Sequence, residues 1–176
     1  MGDEAALTRI ERETWLPHTT PSLYRSRPFF ENVRREDVLV AVLDGEVAGY
    51  LCLQPATPLA SQAATPLASN AHVLMVTGLG VAPSAQRRGV ASGLLEVAET
   101  HASERKVERL TLRVLSVNSA ARALYERHGY QTEGVLRGEF RLPVGPGGEV
   151  VLVDDVLMAK AIAASRLGPG APERAP

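Results

Sequence analysis

A short stretch near the middle of the chain combines positive charge with bare backbone at the start of a helical pattern. Arg87 and Arg88 precede Gly89, and the small residue Ala91 lies in the first turn of the pattern that follows. The first N–H groups of a helix have no partner within the helix and lie at the positive end of its dipole. Because Gly89 has no side chain and Ala91 has almost none, an anion can approach that backbone closely. The stretch therefore predicts a site for an anion, above all a phosphate group.

Two common phosphate-binding motifs do not fit this stretch. Residues 78–83 begin like the dinucleotide motif Gly-x-Gly-x-x-Gly, but Pro83 replaces the third glycine and the first two glycines lie inside a predicted strand. A P-loop requires Lys after its last glycine, whereas Val90 follows Gly89. A dinucleotide fold is therefore disfavoured, and a P-loop is excluded.

The composition limits the classes of partner. Of the 176 residues, 45% are hydrophobic and 5% are aromatic, and the net charge is -1. This balance offers no general attraction to nucleic acid or to an anionic membrane, so any positive patch must be local. The start of the chain is acidic, and no apolar run reaches the roughly 20 residues that span a bilayer. We expect a cytoplasmic protein with neither nucleic acid nor membrane as a partner.

Length and cysteine content limit the number of domains and the kinds of site that this chain can form. A chain of 176 residues predicts one domain, which we expect over residues 1–163, followed by a disordered tail over 164–176. Cys52 is the only cysteine, which excludes an internal disulfide and a cysteine-rich zinc site. With no positive neighbour in sequence, Cys52 is expected to be a small core hydrophobe and not a nucleophile.

The elements that position the phosphate-binding stretch follow from the periodicity of the sequence. Asp44 and Gly45, between two apolar runs, predict a tight hairpin that joins strands over Val38–Leu43 and 46–53. The next strand, over 72–81, is apolar enough to be central, and its two glycines indicate close approach by another backbone or a ligand. Helical spacing also predicts two N-terminal helices, over 4–15 and 22–36.

The second half of the chain predicts alternating helices and strands. The helix after Gly89 has an apolar face formed by Val90, Leu94, Val97, Ala98 and His101. It is followed by a strand over 107–115, a helix over 119–128 that Gly129 ends, and strands over 130–142 and 150–159. Before the central strand, the segment ATPLAS occurs twice, at 56–61 and 64–69, and we interpret it as a lengthened loop, either a neutral insertion or a lid.

Two motifs point to one family. The stretch LGVAPSAQRRGVASGLL resembles the acetyl-CoA signature of the GNAT N-acetyltransferases, Q/R-x-x-G-x-G/A, which Gln86, Gly89 and Ala91 fill. Downstream, VNSAARALYERHGY resembles the family's N-x-x-A-x-x-L-Y-x-x-x-G-F/Y segment, matching at Asn118, Ala121, Leu124, Tyr125, Gly129 and Tyr130. Because both motifs occur in the expected order and separation, the resemblance is specific. It covers about residues 37–160.

The resemblance implies an α/β fold with a mixed central sheet of about six to seven strands and about four helices. In this fold an antiparallel N-terminal meander leads to a splayed pair of parallel strands that binds acetyl-CoA, with no metal. The resemblance implies that the backbone of Leu79, Gly80 and Val81 pairs with the pantetheine arm as a missing strand would. The resemblance also implies that Asn118 caps a helix or bonds the same arm, and that Ala121 is a cofactor-binding residue. The pyrophosphate is held by the segment of Gln86, Arg87, Arg88, Gly89, Val90, Ala91 and Ser92.

The same resemblance assigns chemistry to Tyr125. A phenol within hydrogen-bond reach of the departing thiolate can protonate the sulfur, which makes Tyr125 the expected general acid. The alternative is that Tyr125 is only a core aromatic residue.

The general base is not evident. Family members that acetylate protein N-termini carry a glutamate where Arg113 stands, and others carry one where Thr77 and Gly78 stand. An ordered water is our default, and His72 is an alternative because an imidazole titrates near neutrality. A simpler interpretation of His72 is a surface strand residue. His128 is expected to contribute packing or helix C-terminal charge. Asp154 and Asp155 could face an acceptor amine, or they could form a solvated or structural pair.

The sequence therefore predicts an acetyl-CoA-dependent N-acetyltransferase that uses direct transfer in a ternary complex. The acceptor is a small-molecule or protein amine, and the protein is a monomer or a homodimer. The alternative function is a GNAT-like module that binds acyl-CoA as a sensor or partner platform without turnover.

Overall fold

The computed structural model describes residues 2–21, 27–31, 33–56, 70–144 and 146–162. The predicted tail over 164–176 and nearly all of the ATPLAS duplication lie outside these residues. The described part contains three α-helices: α1 (Gly2–Thr14), α2 (Val90–Glu104) and α3 (Ser119–Arg127). It also contains six strands: β1 (Val38–Leu43), β2 (Glu46–Pro55), β3 (Val73–Val81), β4 (Arg109–Leu115), β5 (Gln131–Pro143) and β6 (Val150–Ala161).

The strands form one mixed sheet in the order β1-β2-β3-β4-β6-β5. Its first three strands are an antiparallel meander, and β3 and β4 are parallel. The expected α/β class and the mixed sheet are confirmed, with three α-helices in the described ranges where about four were expected. Asp44 and Gly45 both have positive φ, 54° and 83°, as a two-residue hairpin turn of this hand requires.

The prediction of a helix over 22–36 is wrong in the residues that can be compared. Only two short 3-10 turns occur there, Phe29–Glu31 and Arg35–Asp37. Pro28 lacks the N–H that a continuous helix would need. Phe29 is instead buried, with its ring edge against Tyr50 at a centroid distance of 4.8 Å.

The sheet is covered on both faces. α2 packs on the face that carries Leu51 and Leu110, and α1 packs on the face that carries Tyr50 and Cys52. The buried residues of α2 are Leu94, Leu95, Ala98 and Ala102. The predicted place of Val97 on this face is wrong, since 52% of its surface is exposed. The buried face of α2 is therefore rotated from the predicted one, because Leu95 and not Val97 points into the core.

The parallel strands β3 and β4 separate halfway along their length. They are paired from Val73 and Arg109 to Val76 and Leu112, and not beyond, although both strands continue. Thr77 marks the point of separation. There β3 has one residue more than β2, because Val76 pairs with Leu53 and Gly78 pairs with Cys52. Such a bulge bends the strand that carries it and turns it away from its neighbour.

Candidate active site

A cleft of about 470 Å³ opens where β3 and β4 separate. One wall is the end of β3 that no longer pairs with β4, and the opposite wall is β4 together with the first turns of α3. The C-terminal end of α1 and the residues after it close the cleft at one side. Past Val76, the edge of β3 that faces β4 has no partner strand. The cleft therefore suits an extended ligand that hydrogen-bonds to this edge as a strand does.

A second lobe of about 420 Å³ continues the cleft past the start of α2. Both lobes are lined by Val81, Gln86 and Ala91. The Gly93 N–H donates to the Gly89 carbonyl oxygen over 3.0 Å, so the N–H groups of the preceding turn have no partner within the helix. No side chain caps them at Gly89. The lobe therefore presents several backbone donors and the positive end of a helix dipole.

The loop before α2 has the conformation that exposes these donors. Gly89 has φ 83°, a left-handed conformation that favours glycine, and Arg87 has φ 61°. A Cβ built on Gly89 would have no heavy atom within 4 Å, so the side of Gly89 where a Cβ would stand is open. Glycine here serves both the turn and the access to the helix start.

The structure brings together most of the residues that the sequence assigned to a cofactor. The lining residues are Leu79, Val81, Gln86, Arg87, Gly89, Val90, Ala91, Ser92, Asn118, Ala121 and Tyr125. Two of the assigned residues do not line either lobe. Gly80 lies opposite Tyr50, and Arg88 forms an ion pair of 3.1 Å with Asp44 in the hairpin turn.

The two glycines of β3 make room for a protein side chain. A Cβ on Gly80 would lie 2.6 Å from Cε1 of Tyr50, and one on Gly78 would lie 3.5 Å from Cε2 of the same ring. The expected approach by another backbone or a ligand is not found at this face of the strand, where the approaching group is the Tyr50 side chain.

Arg127 is a lining residue that the sequence reasoning missed. It is exposed and lines the outer lobe with Arg87, and in the described ranges no carboxylate lies within ion-pair distance of it. The two guanidinium groups add positive charge to the lobe that carries the helix start. In the sequence, only its position two residues after Tyr125 on the same predicted helix could have indicated this place.

Tyr125 lies in the wall of the central cleft. Its residue surface is 8% exposed, and its ring packs edge-on against Tyr130 at 5.8 Å. Burial raises the pKa of the Tyr125 phenol to about 12. Among the described residues, none hydrogen-bonds its hydroxyl group. The phenol is thus protonated at neutral pH and available to a ligand in the cleft.

Asn118 has the capping role that the sequence allowed. Its side-chain oxygen accepts a hydrogen bond of 3.2 Å from the Ala121 N–H at the start of α3. The cap fixes the first turn of the helix that carries Tyr125. His128 lies at the other end of α3, where its N–H donates to the Leu124 and Tyr125 carbonyl oxygens.

The β4 wall of the cleft contains an ion pair that includes Arg113. Arg113 bonds Asp155, which is 2% exposed and lies on the neighbouring strand β6. Glu139 lies 4.0 Å from the same guanidinium. Asp155 therefore has a structural partner, as does Asp154, which accepts a hydrogen bond of 2.8 Å from the Gly138 N–H.

Two other candidates lie away from the cleft. His72 is exposed in the turn before β3 and lines neither lobe. Cys52 is buried, and burial, with the negative charges of Glu11 and Asp37, raises the pKa of its thiol to about 12. The expectation that Cys52 is a core residue is confirmed. In the described part of the chain no group of three His, Cys, Asp or Glu residues could hold a metal ion, and no described helix has the length and hydropathy to cross a membrane.

Comparison with known proteins gives a consistent result. The model of the acetyltransferase (GNAT) family matches residues 5–130. The uncharacterized N-acetyltransferase YhfO of Bacillus subtilis is 29% identical over 96 residues, which are 54% of this chain and 59% of that protein. The chain thus aligns with less than two thirds of that relative.

Solved structures share the fold. A ribosomal-protein-alanine N-acetyltransferase from Brucella melitensis is 25% identical, with a TM-score of 0.68 over 91% of this chain and 94% of that one. A GCN5-related N-acetyltransferase from Kribbella flavida is 22% identical, with a TM-score of 0.71 over 90% and 92% of the two chains. At that identity the second likeness shows the fold alone.

Proposed function

Because the chain belongs to the GNAT acetyltransferase family, we propose that it transfers the acetyl group of acetyl-CoA to a primary amine while both substrates are bound. The observation that carries the proposal is the position of the Tyr125 phenol, which lies buried in the wall of a cleft whose outer lobe suits a pyrophosphate.

The residues present fit acetyl-CoA. The edge of β3 that faces β4 has no partner strand past Val76, and it suits the amide groups of the pantetheine arm because a strand edge offers alternating donors and acceptors. The Val81 carbonyl oxygen already accepts a hydrogen bond of 3.3 Å from Gln86 Nε2. The N–H groups at the start of α2 suit the pyrophosphate, with Arg87 and Arg127 as additional cations. Acetyl-CoA supplies the thioester, and the protein's own groups do the rest.

Tyr125 serves as the general acid in this proposal. The amine nitrogen forms a bond to the thioester carbonyl carbon, the carbon–sulfur bond breaks, and the Tyr125 hydroxyl gives its proton to the departing sulfur. Burial, which raises the pKa of the phenol, keeps the proton on Tyr125 until the sulfur departs. The proton that the amine loses passes to water, and water returns one to Tyr125.

Replacing Tyr125 by Phe tests the proposal. We expect kcat to fall by about 10²- to 10⁴-fold, the scale for a lost general acid, with the affinity for acetyl-CoA unchanged. Tyr130→Phe is the matched control. It removes the hydroxyl group of the ring that packs against Tyr125, and Tyr130 lines neither lobe. Turnover is measured as release of the CoA thiol, and affinity by calorimetry.

Three results would count against this mechanism. Wild-type turnover in Tyr125→Phe would remove Tyr125 from the chemistry. An equal loss in Tyr130→Phe would assign the effect to packing. A wild-type protein that binds acetyl-CoA but acetylates no amine in a broad panel would favour the sensor module.

A further inference from the structure

The proposed transfer releases one proton that needs an acceptor. The amine loses this proton when its nitrogen bonds the thioester carbon, and the chain has no glutamate at either position where family members carry one. In the described ranges, the charged or titratable residues that line the central cleft are Glu13, His18, Arg113 and Tyr125. A protein group that takes the proton must therefore be one of these four or lie outside the cleft.

Three of these four groups are unsuited to accept a proton. Arg113 is a permanent cation, and it bonds the buried Asp155. Tyr125 holds the proton that the sulfur needs, because burial raises the pKa of its phenol to about 12. Glu13 is exposed at the end of α1, and a solvated carboxylate is a weak base at neutral pH. His18 remains, and imidazole is the side chain whose charge changes between pH 5 and 8.

His18 lies in a tight turn that follows α1. The Thr19 N–H donates to the Leu16 carbonyl oxygen over 2.8 Å, which closes a four-residue turn with Pro17 and His18 at its central positions. Proline suits the first of these positions, because its ring fixes φ. The Thr19 hydroxyl group accepts from the Leu16 N–H over 2.9 Å and donates to the Thr14 carbonyl oxygen over 2.7 Å. These bonds tie the turn to the last residue of α1, so the backbone that carries His18 is held beside the cleft.

His18 also lies where the cleft meets the protein surface. It lines the cleft together with Tyr125, and it lines a groove of about 420 Å³ in which no other described lining residue is titratable. His18 is exposed, and within the described ranges no residue forms an ion pair or a side-chain hydrogen bond with its ring. An imidazole in this place can take a proton from the cleft and release it to solvent, as a proton shuttle does.

We propose that His18 is the protein group that accepts the proton of the amine. This inference rests on the acetyl transfer proposed above, and it names the group that takes from water the proton that the amine loses. As the nitrogen–carbon bond forms and the carbon–sulfur bond breaks, the amine proton passes through water to the neutral imidazole, and the Tyr125 proton passes to the sulfur. The imidazolium then gives its proton to solvent, and Tyr125 regains one from water, so both groups are restored.

His18→Gln tests this assignment, and His72→Gln is the matched control. Both histidines are exposed, but His72 lines neither lobe. The acceptor is the primary amine that the wild type acetylates fastest in a broad panel, and release of the CoA thiol is measured. At pH 7.5 we expect kcat to fall about 10- to 100-fold in His18→Gln and to stay within twofold of the wild type in His72→Gln. The affinity for acetyl-CoA and the urea-unfolding midpoint should be the same in all three proteins.

The pH dependence separates a proton acceptor from a residue that only shapes the cleft. Protonation of the amine itself affects the wild type and the variant alike, so it cancels in the ratio of their kcat/KM values. The ratio of the wild type to His18→Gln should fall at least about fivefold between pH 7.5 and pH 5.5, because a protonated imidazole accepts no proton. Over this range Arg113 stays charged beside Asp155, and Tyr125 stays neutral. The same fall should be measured when both proteins also carry Glu13→Gln.

The results against the inference are distinct from failure of the proposed function. Wild-type turnover in His18→Gln, or a ratio that does not change with pH, would overturn the role of His18 while acetyl transfer stands. A fall of the ratio that disappears with Glu13→Gln would assign the proton to that carboxylate and would overturn the inference as well. Acetyl-CoA binding with no thiol release for any amine would overturn both the transfer and this inference.

Discussion

Ala91→Glu is the sharpest probe of the phosphate site, because it should change binding and stability in opposite directions. Ala91 is the second residue of α2 and lines both lobes of the cleft. A carboxylate in the first turn interacts favourably with the helix dipole, which predicts a free energy of unfolding that is unchanged or higher by up to about 1 kcal/mol. Gly89→Val is a poorer probe, since φ 83° would strain any larger residue.

The same carboxylate should repel a bound pyrophosphate. Two unit charges about 6 Å apart at an effective dielectric constant of about 20 repel by about 3 kcal/mol, and screening by salt lowers this to between about 1 and 3 kcal/mol. The affinity for acetyl-CoA should therefore fall by about 5- to 150-fold. Acetyl-pantetheine, which has no pyrophosphate, should bind the variant and the wild type alike.

Val97→Glu is the matched control for charge on the same helix. Val97 is exposed, lines neither lobe and lies six residues further along α2, about 9 Å along the axis. Calorimetry should show less than a twofold change in its affinity for acetyl-CoA. The anion-site assignment fails if a folded Ala91→Glu variant binds acetyl-CoA within threefold of the wild type, or if both variants weaken it equally.

Three further predictions concern stability, measured by urea unfolding. Tyr130→Phe removes a buried hydroxyl group that has no hydrogen-bond partner in the described structure, and it should raise the free energy of unfolding by about 1 kcal/mol. Burial, and then the charge of Glu99, raise the pKa of the Tyr130 phenol. Above about pH 10 the unfolded tyrosine therefore ionises first, so the stability of the wild type should fall there, and that of the variant should fall less. Arg113→Met leaves the buried Asp155 without its partner and should cost about 2 kcal/mol, much of which the double change with Asp155→Asn should recover; no recovery would show that the loss lies elsewhere. Gly80→Ala drives a Cβ to 2.6 Å from Tyr50 and should cost about 1–3 kcal/mol, whereas Gly93→Ala, which meets open space in α2, should add about 1 kcal/mol; equal effects would contradict the packing described here.

Local signals in the sequence were enough to predict the elements that carry the site. Asp44 and Gly45 determine their turn through their own backbone preferences, and Gly89 with the small residues after it determines the open helix start. Asn118 is a cap that can be recognised within four residues. In each case the determining residues are neighbours in the chain.

Contacts between residues far apart in sequence could not be predicted in this way. The bulge at Thr77 depends on the register of β2 against β3, and the pairing of Arg113 with Asp155 depends on β4 lying beside β6. Nothing near Gly80 shows that it faces Tyr50. Periodicity also left the orientation of α2 open, and it misplaced Val97, because a small rotation moves a residue from one face of a helix to the other.

The transfer itself is tested most directly by following a labelled acetyl group. The protein is incubated with acetyl-CoA labelled in the acetyl group and with a broad panel of primary amines, and mass spectrometry follows the label while the CoA thiol is counted. We predict one labelled acetyl group on the nitrogen of an acceptor amine for each CoA released, with the rate falling about 10²- to 10⁴-fold in Tyr125→Phe. Label that stays on CoA, or that appears only as free acetate, would contradict acetyl transfer to an amine in this cleft.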